Sequence, residues 1–311
     1  MPLLEITGLN VTFAGMEGRA HTIRNLDLSI ERGQRVALVG ESGSGKSVTA
    51  RTIMGLLPKN RVKIDGDIRF AGLELNDSTR KQLLGVRIAM VFQDPSSTLN
   101  PVFRIRDQLD AIARVAGHEL DRDKTIELLR SMAITDPERV LNAYPFQLSG
   151  GMAQRVLLGA ALMNKPELII ADEPATALDA EIQQRSLELL SAASRAQGTS
   201  VLLITHHMGL VRDFADIVHV MYAGEIVESA PVEMLLNSPA HPYTQLLVKS
   251  VPRLSADELP VGIDGEPPDY LNPPTGCRFQ PRCPVAQRSC GEVISMKILN
   301  RDQHVRCVLP H

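Results

Sequence analysis

Gly40-Glu41-Ser42-Gly43-Ser44-Gly45-Lys46-Ser47 is the stretch whose reading decides the fold. Val36-Ala37-Leu38-Val39 before it is continuously apolar, and Val48 to Leu57 after it has helical character and stops at Pro58. A strand, a glycine-rich loop and a helix in that order make a phosphate-binding loop (P-loop). The glycines allow the backbone to curl until successive N–H groups face phosphate oxygens. The helix that follows adds the positive end of its dipole. Lys46 is placed to reach the β- and γ-phosphates of a nucleoside triphosphate, and the Ser47 hydroxyl to ligate Mg²⁺. A Gly/Ser-rich surface turn needs neither the lysine nor these flanks.

Working outward, the 311 residues suffice for one large domain with an appendage or for two modest domains. A hydrophobic fraction of 44% against 22% charged residues supports a packed core. A formal net charge of −3 and a pI near 6.3 argue against nucleic acid as a partner, which calls for a basic surface. Met1-Pro2-Leu3-Leu4-Glu5 lacks the regions of a signal peptide, and no apolar run approaches the roughly 18–20 residues of a membrane span. The expectation is a cytosolic chain, able to sit on a membrane protein.

Strands alternating with helices indicate a largely parallel α/β core. Short strands are expected at Leu4–Ile6, Val11–Phe13, Thr22–Ile30 and Arg35–Val39, with a turn at Gly15–Gly18. Arg61 to Leu75 reads as a hairpin turning at Asp65-Gly66, with Ile64, Ile68 and Phe70 facing inward. Ile88–Phe92 is a buried strand. From Pro101 to about Lys165 the pattern is helical. Ile105, Leu109, Ile112 and Ala116 share one face, and Thr125–Met132 forms a second helix. Ser149 caps a helix running from Met152 to Asn164. Leu168–Ala171 and Ser200–Thr205 are buried strands, with an amphipathic helix Ala180–Ala196 and its terminal Gly198 between them. Ile217–Met221 and Glu225–Glu228 pair around Ala223-Gly224. From Pro252 onward the chain is rich in Pro, Gly and Cys, with little periodicity.

Leu168-Ile169-Ile170-Ala171-Asp172-Glu173 is a Walker B strand. Asp172 is suited to hold Mg²⁺ through its water shell, and Glu173 to orient and deprotonate the attacking water. Leu148-Ser149-Gly150-Gly151, followed by Gln154-Arg155, places a serine and two glycines at a helix N-terminus, where an anion is favoured.

These residues resemble the ATPase subunits of ATP-binding cassette (ABC) transporters, whose signature is that Leu-Ser-Gly-Gly. Further motifs of the family stand in order. The Q-loop is Val91-Phe92-Gln93-Asp94-Pro95, the D-loop Ala177-Leu178-Asp179, and the switch histidine His206. Phe13 fills the place of the aromatic that stacks on adenine, slightly farther from the P-loop than usual. His207 stands where most relatives carry aspartate.

The resemblance implies a P-loop NTPase fold, α/β, with a RecA-like core, an antiparallel β subdomain and a helical insertion at about 96–165. The nucleotide-binding domain would span 1–235 and a small Cys-rich C-terminal region 236–311. It implies ATP with Mg²⁺ at Phe13, Gly40–Ser47 (Glu41, Ser42, Gly43, Ser44, Gly45 and Lys46 included), Gln93 and Asp172. Ser149, Gly150, Gly151 and Asp179 would serve a partner's ATP, while Glu173, His206 and Gln93 would carry catalysis. Two cassettes would sandwich two nucleotides head to tail and dock on two membrane-spanning permease subunits at the cytoplasmic face of the inner membrane. The second cassette would be a related ATPase, and an extracytoplasmic solute-binding protein would act indirectly.

The tail, with His241-Pro242-Tyr243-Thr244, Gly265-Glu266-Pro267-Pro268 and Gly276-Cys277-Arg278-Phe279-Gln280-Pro281-Arg282-Cys283-Pro284, is similar to that of oligopeptide, dipeptide and nickel importer ATPases. The four cysteines, Cys277, Cys283, Cys290 and Cys307, lack the paired C-x2-C spacing of a zinc ribbon. In a reducing cytosol their clustering points to a metal or to chance. The resemblance favours a four-iron four-sulfur (4Fe-4S) cluster, with zinc as the alternative.

Overall fold

The computed structural model describes residues 1–174, 180–251 and 262–309. The described strands, in chain order, are β1 (Leu4–Gly15), β2 (Gly18–Ile30), β3 (Arg35–Val39), β4 (Val62–Phe70), β5 (Leu73–Glu74) and β6 (Ile88–Val91). They continue with β7 (Leu168–Asp172), β8 (Ser200–Thr205), β9 (Ile217–Tyr222), β10 (Glu225–Pro231), β11 (Lys297–Asn300) and β12 (Gln303–Val305). The chain forms two compact units, the first from 1–30, 36–75 and 205–311, the second from 31–35 and 76–204.

The first unit carries an antiparallel sheet in the order β2-β1-β4-β5 and a strand run β11-β12-β10-β9-β3. Within that run β3 and β9 are parallel, Val39 level with Val220, and the other neighbours are antiparallel. Val36 to Val39 are buried, as a continuous apolar run requires of a strand covered on both faces. Ala223 and Gly224, at φ 45° and 89°, turn β9 into β10 as a two-residue hairpin loop with left-handed central residues.

The second unit carries the parallel run β8-β7-β6, with every residue of β7 buried. Each fully buried Leu or Ile there contributes about 1.5–3 kcal/mol. Its helical part centres on Leu99, Ile105, Leu109, Ile126, Leu129, Val140, Val156 and Leu157. The helix Ile105–Val115 buries Ile105, Leu109 and Ala113, and Arg122–Ser131 forms the second expected helix. The helix Gly150–Leu162 begins where its cap requires, with the Ser149 hydroxyl accepting the Met152 N–H at 3.3 Å.

Three expectations are corrected. Leu4–Ile6 and Val11–Phe13 are parts of one strand, β1, kept continuous by register shifts between Ile6 and Thr12. Asp65-Gly66 is not a turn. β4 runs straight through it, and Gly66, at φ 106°, stands opposite a bulge at Gly8-Leu9 of β1, where a Cβ would lie 2.6 Å from the Gly8 carbonyl oxygen. The bulge leaves Ile68 and Phe70 buried but Ile64 45% exposed, so Ile64 does not face inward. The reversal comes instead at Ala71-Gly72, before β5. The Cys-rich tail is not without regular structure either: β11 and β12 pair and extend the sheet beyond β10.

Ser229 of β10 stands opposite both His219 of β9 and His304 of β12. Both ring nitrogens of His219 are buried without a hydrogen-bond partner. Burial, with His304 adding to it, pushes its pKa down to about 4 from 6.5. Between those values the unfolded chain binds the proton and the folded chain does not, so stability falls as pH drops from about 6.5 to 4, by about 3 kcal/mol in all. His219→Leu is therefore expected to flatten the acid limb of stability, read as urea midpoints between pH 7 and 4.

Candidate nucleotide site

β3 delivers the chain into the P-loop at Gly40, which β9 backs so closely that a Cβ there would lie 2.0 Å from the Met221 carbonyl oxygen. Any other residue at Gly40 would push the loop away from the sheet. The helix Lys46–Met54 starts at the loop's end without a side-chain cap, so its dipole opens onto the loop. Lys46, 4% exposed, donates from Nζ to the carbonyls of Gly40 at 2.8 Å and Glu41 at 2.9 Å. A buried ammonium, a helix N-terminus and a curled backbone form a cradle for a polyphosphate. Ser47 lies half-buried in the first helical turn, where its hydroxyl is suited to Mg²⁺.

Three contacts on this loop carry no sequence signature. The Tyr243 hydroxyl accepts the Glu41 N–H at 2.9 Å, and the Tyr270 hydroxyl donates to the Gly43 carbonyl at 2.6 Å. Arg282 grips the Glu41 carboxylate with two N–H groups, at 2.7 and 3.1 Å. Their sequence separations, about 200 residues and more, leave only the fold to bring them together.

Phe13 lies half-buried in β1 of the same unit, opposite Ala20 and Val62. His206, also of that unit, follows the end of β8. Its ring lies 4.8 Å from that of His207, whose N–H donates to the Thr205 hydroxyl at 3.0 Å.

In the second unit Asp172 closes β7 and is 5% exposed. Val91 of β6 is level with Ala171 of β7 in the parallel pair, so Gln93 and Glu173 leave the sheet at the same edge. Glu173 adopts φ 46°, a left-handed conformation costly for a residue with a side chain, and its N–H donates to the Ile204 carbonyl at 2.9 Å. Strain of this kind collects at functional sites. The next residue, Pro174, accepts a hydrogen bond from Gln154 of the signature helix. Ser149 and Gly150 are exposed at that helix's N-terminus. Asp179 lies outside the described residues.

All four cysteines line one small cavity of the first unit, with His241, Ile294, Val308 and Leu309 around them. Burial, with Cys290 and Cys307 nearby, pushes the Cys277 thiol up to about 11, and burial raises Cys283 and Cys307 too. Among the described residues, no three His, Cys, Asp or Glu side chains are gathered to hold a metal ion.

Residues 23–176 match the ABC transporter family profile, and 227–290 match that of the oligopeptide/dipeptide transporter C-terminal region. The dipeptide transport ATP-binding protein DppD of Bacillus subtilis (strain 168) is 41% identical over 99% of this chain and 94% of its own length. This chain belongs to the ABC transporter ATPase family. Another member, the probable D,D-dipeptide transport ATP-binding protein DdpD of Escherichia coli (strain K12), is 42% identical over 98% of this chain and 95% of its own length. Among solved structures, an ATP-binding cassette dimer in a post-hydrolysis state bound to ADP and Pi superimposes with a TM-score of 0.65 at 26% identity. It covers 74% of this chain and 98% of the cassette. The match establishes for this ABC ATPase the P-loop α/β fold that the sequence implies.

Proposed function

We propose that this chain binds and hydrolyses ATP to drive an importer of dipeptides or oligopeptides. The observation that carries the peptide reading is the match of 227–290 to the oligopeptide/dipeptide transporter C-terminal region, in a chain about 40% identical to dipeptide transport ATP-binding proteins along nearly its whole length. Nickel import, the alternative within the same subfamily, has no comparable support.

The P-loop and Lys46 hold the β- and γ-phosphates, and Phe13 stacks on the base. Ser47, Gln93 and Asp172 would hold Mg²⁺, which would supply neutralisation of the phosphate charge. Glu173 takes a proton from water as the water oxygen bonds to the γ-phosphorus and the bond to the β–γ bridging oxygen breaks, leaving ADP and phosphate. His206 contacts the γ-phosphate and stabilises its developing charge.

Ser149, Gly150 and Gly151, with Asp179 beyond them, serve the ATP of a second, related cassette. ATP thereby joins two chains head to tail, and hydrolysis parts them. Among the described residues no helix is long and apolar enough to cross a membrane. In this reading the chain works at the cytoplasmic face of the inner membrane, docked on two permease subunits. Phe103 and Phe146, 52% and 72% exposed in the helical part of the second unit, together with exposed Phe92 after β6, support that docking. Exposed apolar side chains of this size suit a protein interface. A solute-binding protein outside the membrane selects the cargo. A soluble cassette acting on ribosomes or nucleic acid is opposed by the acidic pI of 6.3 and the importer-type tail.

Cys277, Cys283, Cys290 and Cys307 hold a 4Fe-4S cluster in this reading. Their lining of one small cavity is the observation behind this reading, with zinc as the alternative occupant.

Glu173→Gln is expected to retain ATP affinity while turnover falls about 10²- to 10⁴-fold, the contribution of a general base. Steady-state phosphate release near the wild-type rate would refute the assignment. Tagged chain captured from detergent-solubilised membranes should bring two polytopic permeases and a second cassette. Recovery from the soluble fraction alone, with ribosomal or DNA-bound partners, would overturn the transport reading. Anaerobically purified protein should contain iron and acid-labile sulfide in equal amounts and lose both in Cys283→Ser; iron-free protein carrying zinc rejects the cluster.

A further inference from the structure

We propose that Arg282, Tyr270 and Tyr243 of the C-terminal region are positioning residues of the nucleotide site, holding the P-loop in its phosphate-binding shape. Arg282 is the centre of the device. Its side chain is 4% exposed, and all five of its N–H groups are placed. Two go to the Glu41 carboxylate at 2.7 and 3.1 Å and one to the Tyr222 hydroxyl at 3.2 Å. The remaining two reach the carbonyls of Asp264 at 2.8 Å and Ile263 at 2.9 Å. A bidentate guanidinium–carboxylate pair fixes direction as well as distance, which a lysine ammonium does not.

The platform beneath it is aromatic. Phe279 is fully buried, with its ring 5.0 Å from that of Tyr222 and 5.3 Å from that of Tyr243. The guanidinium lies 5.7 Å from the centre of the Tyr222 ring and 6.0 Å from that of Phe279. The single turn Gln280–Arg282 sets Arg282 at this place. Cation–π attraction in a desolvated setting adds to the ion pair.

The loop is thus held at three of four successive residues. Glu41 is bound by its side chain to Arg282 and by its N–H to Tyr243. Ser42 lies between. Gly43 is bound through its carbonyl to Tyr270, and Ser44 through its carbonyl to the Gly224 N–H at 2.8 Å. A glycine-rich loop gains conformational freedom when released, and binding a phosphate chain must then remove that freedom. The brace pre-pays this ordering. Glu41 is not otherwise required by the phosphate-binding pattern, whose fixed positions are the two outer glycines, the lysine and the hydroxyl.

The test is ADP·Mg²⁺ affinity by calorimetry, together with KM and kcat for ATP. Arg282→Gln and Glu41→Gln should each weaken ADP binding by about tenfold, the scale of a charge-assisted hydrogen bond. The double variant should bind no more weakly than either single one, because both remove the same contact. KM should rise while kcat at saturating ATP is retained. Arg282→Lys, with the charge but not the fork, should fall between. An Arg282→Gln protein that melts at a lower temperature yet binds ADP with wild-type affinity overturns the proposal, as do fully additive losses in the double variant. If Arg282→Gln does not fold, Tyr270→Phe and Glu41→Gln decide: weakened ADP binding in both supports the brace, and unchanged binding in both rejects it.

Discussion

The structure of the first unit depends on one close approach, that of the P-loop backbone at Gly40 to the Met221 carbonyl of β9. Only a residue without Cβ permits it, and from it the rest of the loop's surroundings follow. β3 must run parallel to β9 and in the register that sets Val39 beside Val220. The hairpin after β9 then comes round so that Gly224 donates to Ser44, while Ala223 accepts a hydrogen bond from Arg278. A two-residue turn therefore ties the loop on one side to the C-terminal region on the other. The cradle for phosphate is a product of the sheet as much as of the motif.

The C-terminal region is attached by polar groups as well as by apolar packing. One buried cluster there holds Ala240, Val305 and Cys307 with Leu299 and Leu309 beside them. The Arg24 guanidinium reaches the successive carbonyls of Pro274, Thr275 and Gly276 at 3.1, 3.1 and 2.7 Å, and pairs with Glu225 at 2.8 Å. Glu228 is fully buried and accepts from the N–H groups of Ala240 and His241 at 2.8 Å each and from Gln303 at 2.9 Å. Those donors offset the desolvation of a buried carboxylate. A buried glutamate is often a catalytic candidate, yet here three donors mark a structural pin.

The second unit shows how a catalytic turn is held. Glu173 keeps a strained φ because its N–H is bound to Ile204 on one side and Pro174 is bound to Gln154 on the other. Gln154 stands in the signature helix, so the turn carrying the candidate base and the helix carrying Ser149 are linked through one side chain. The link requires the helix Gly150–Leu162 to pack close to β7's end. Its buried face of Ala153, Val156, Leu157 and Ala160 lies in the helical core and sets that position.

Much of this was legible in the sequence because the informative residues are neighbours along the chain. The P-loop, the Walker B strand, the signature with its Ser149 cap and the Ala223-Gly224 hairpin are all local patterns, decided by backbone conformation and burial over a few residues. Where a local pattern admitted two outcomes, pairing chose between them. Asp65-Gly66 reads as a hairpin turn, and pairing with the neighbouring β1 kept it inside a strand, opposite a bulge in β1. The strand β12 was invisible in its own composition, because its stability comes from β10 beside it. The left-handed Glu173, the orphaned His219 and the grip of Tyr243, Tyr270 and Arg282 on the P-loop belong to the tertiary structure alone. The sequence by itself determined which residues can bind phosphate and move a proton. Only the fold decided what holds them, since contacts between residues some two hundred positions apart arise when long-range packing repays the entropy of closing the chain.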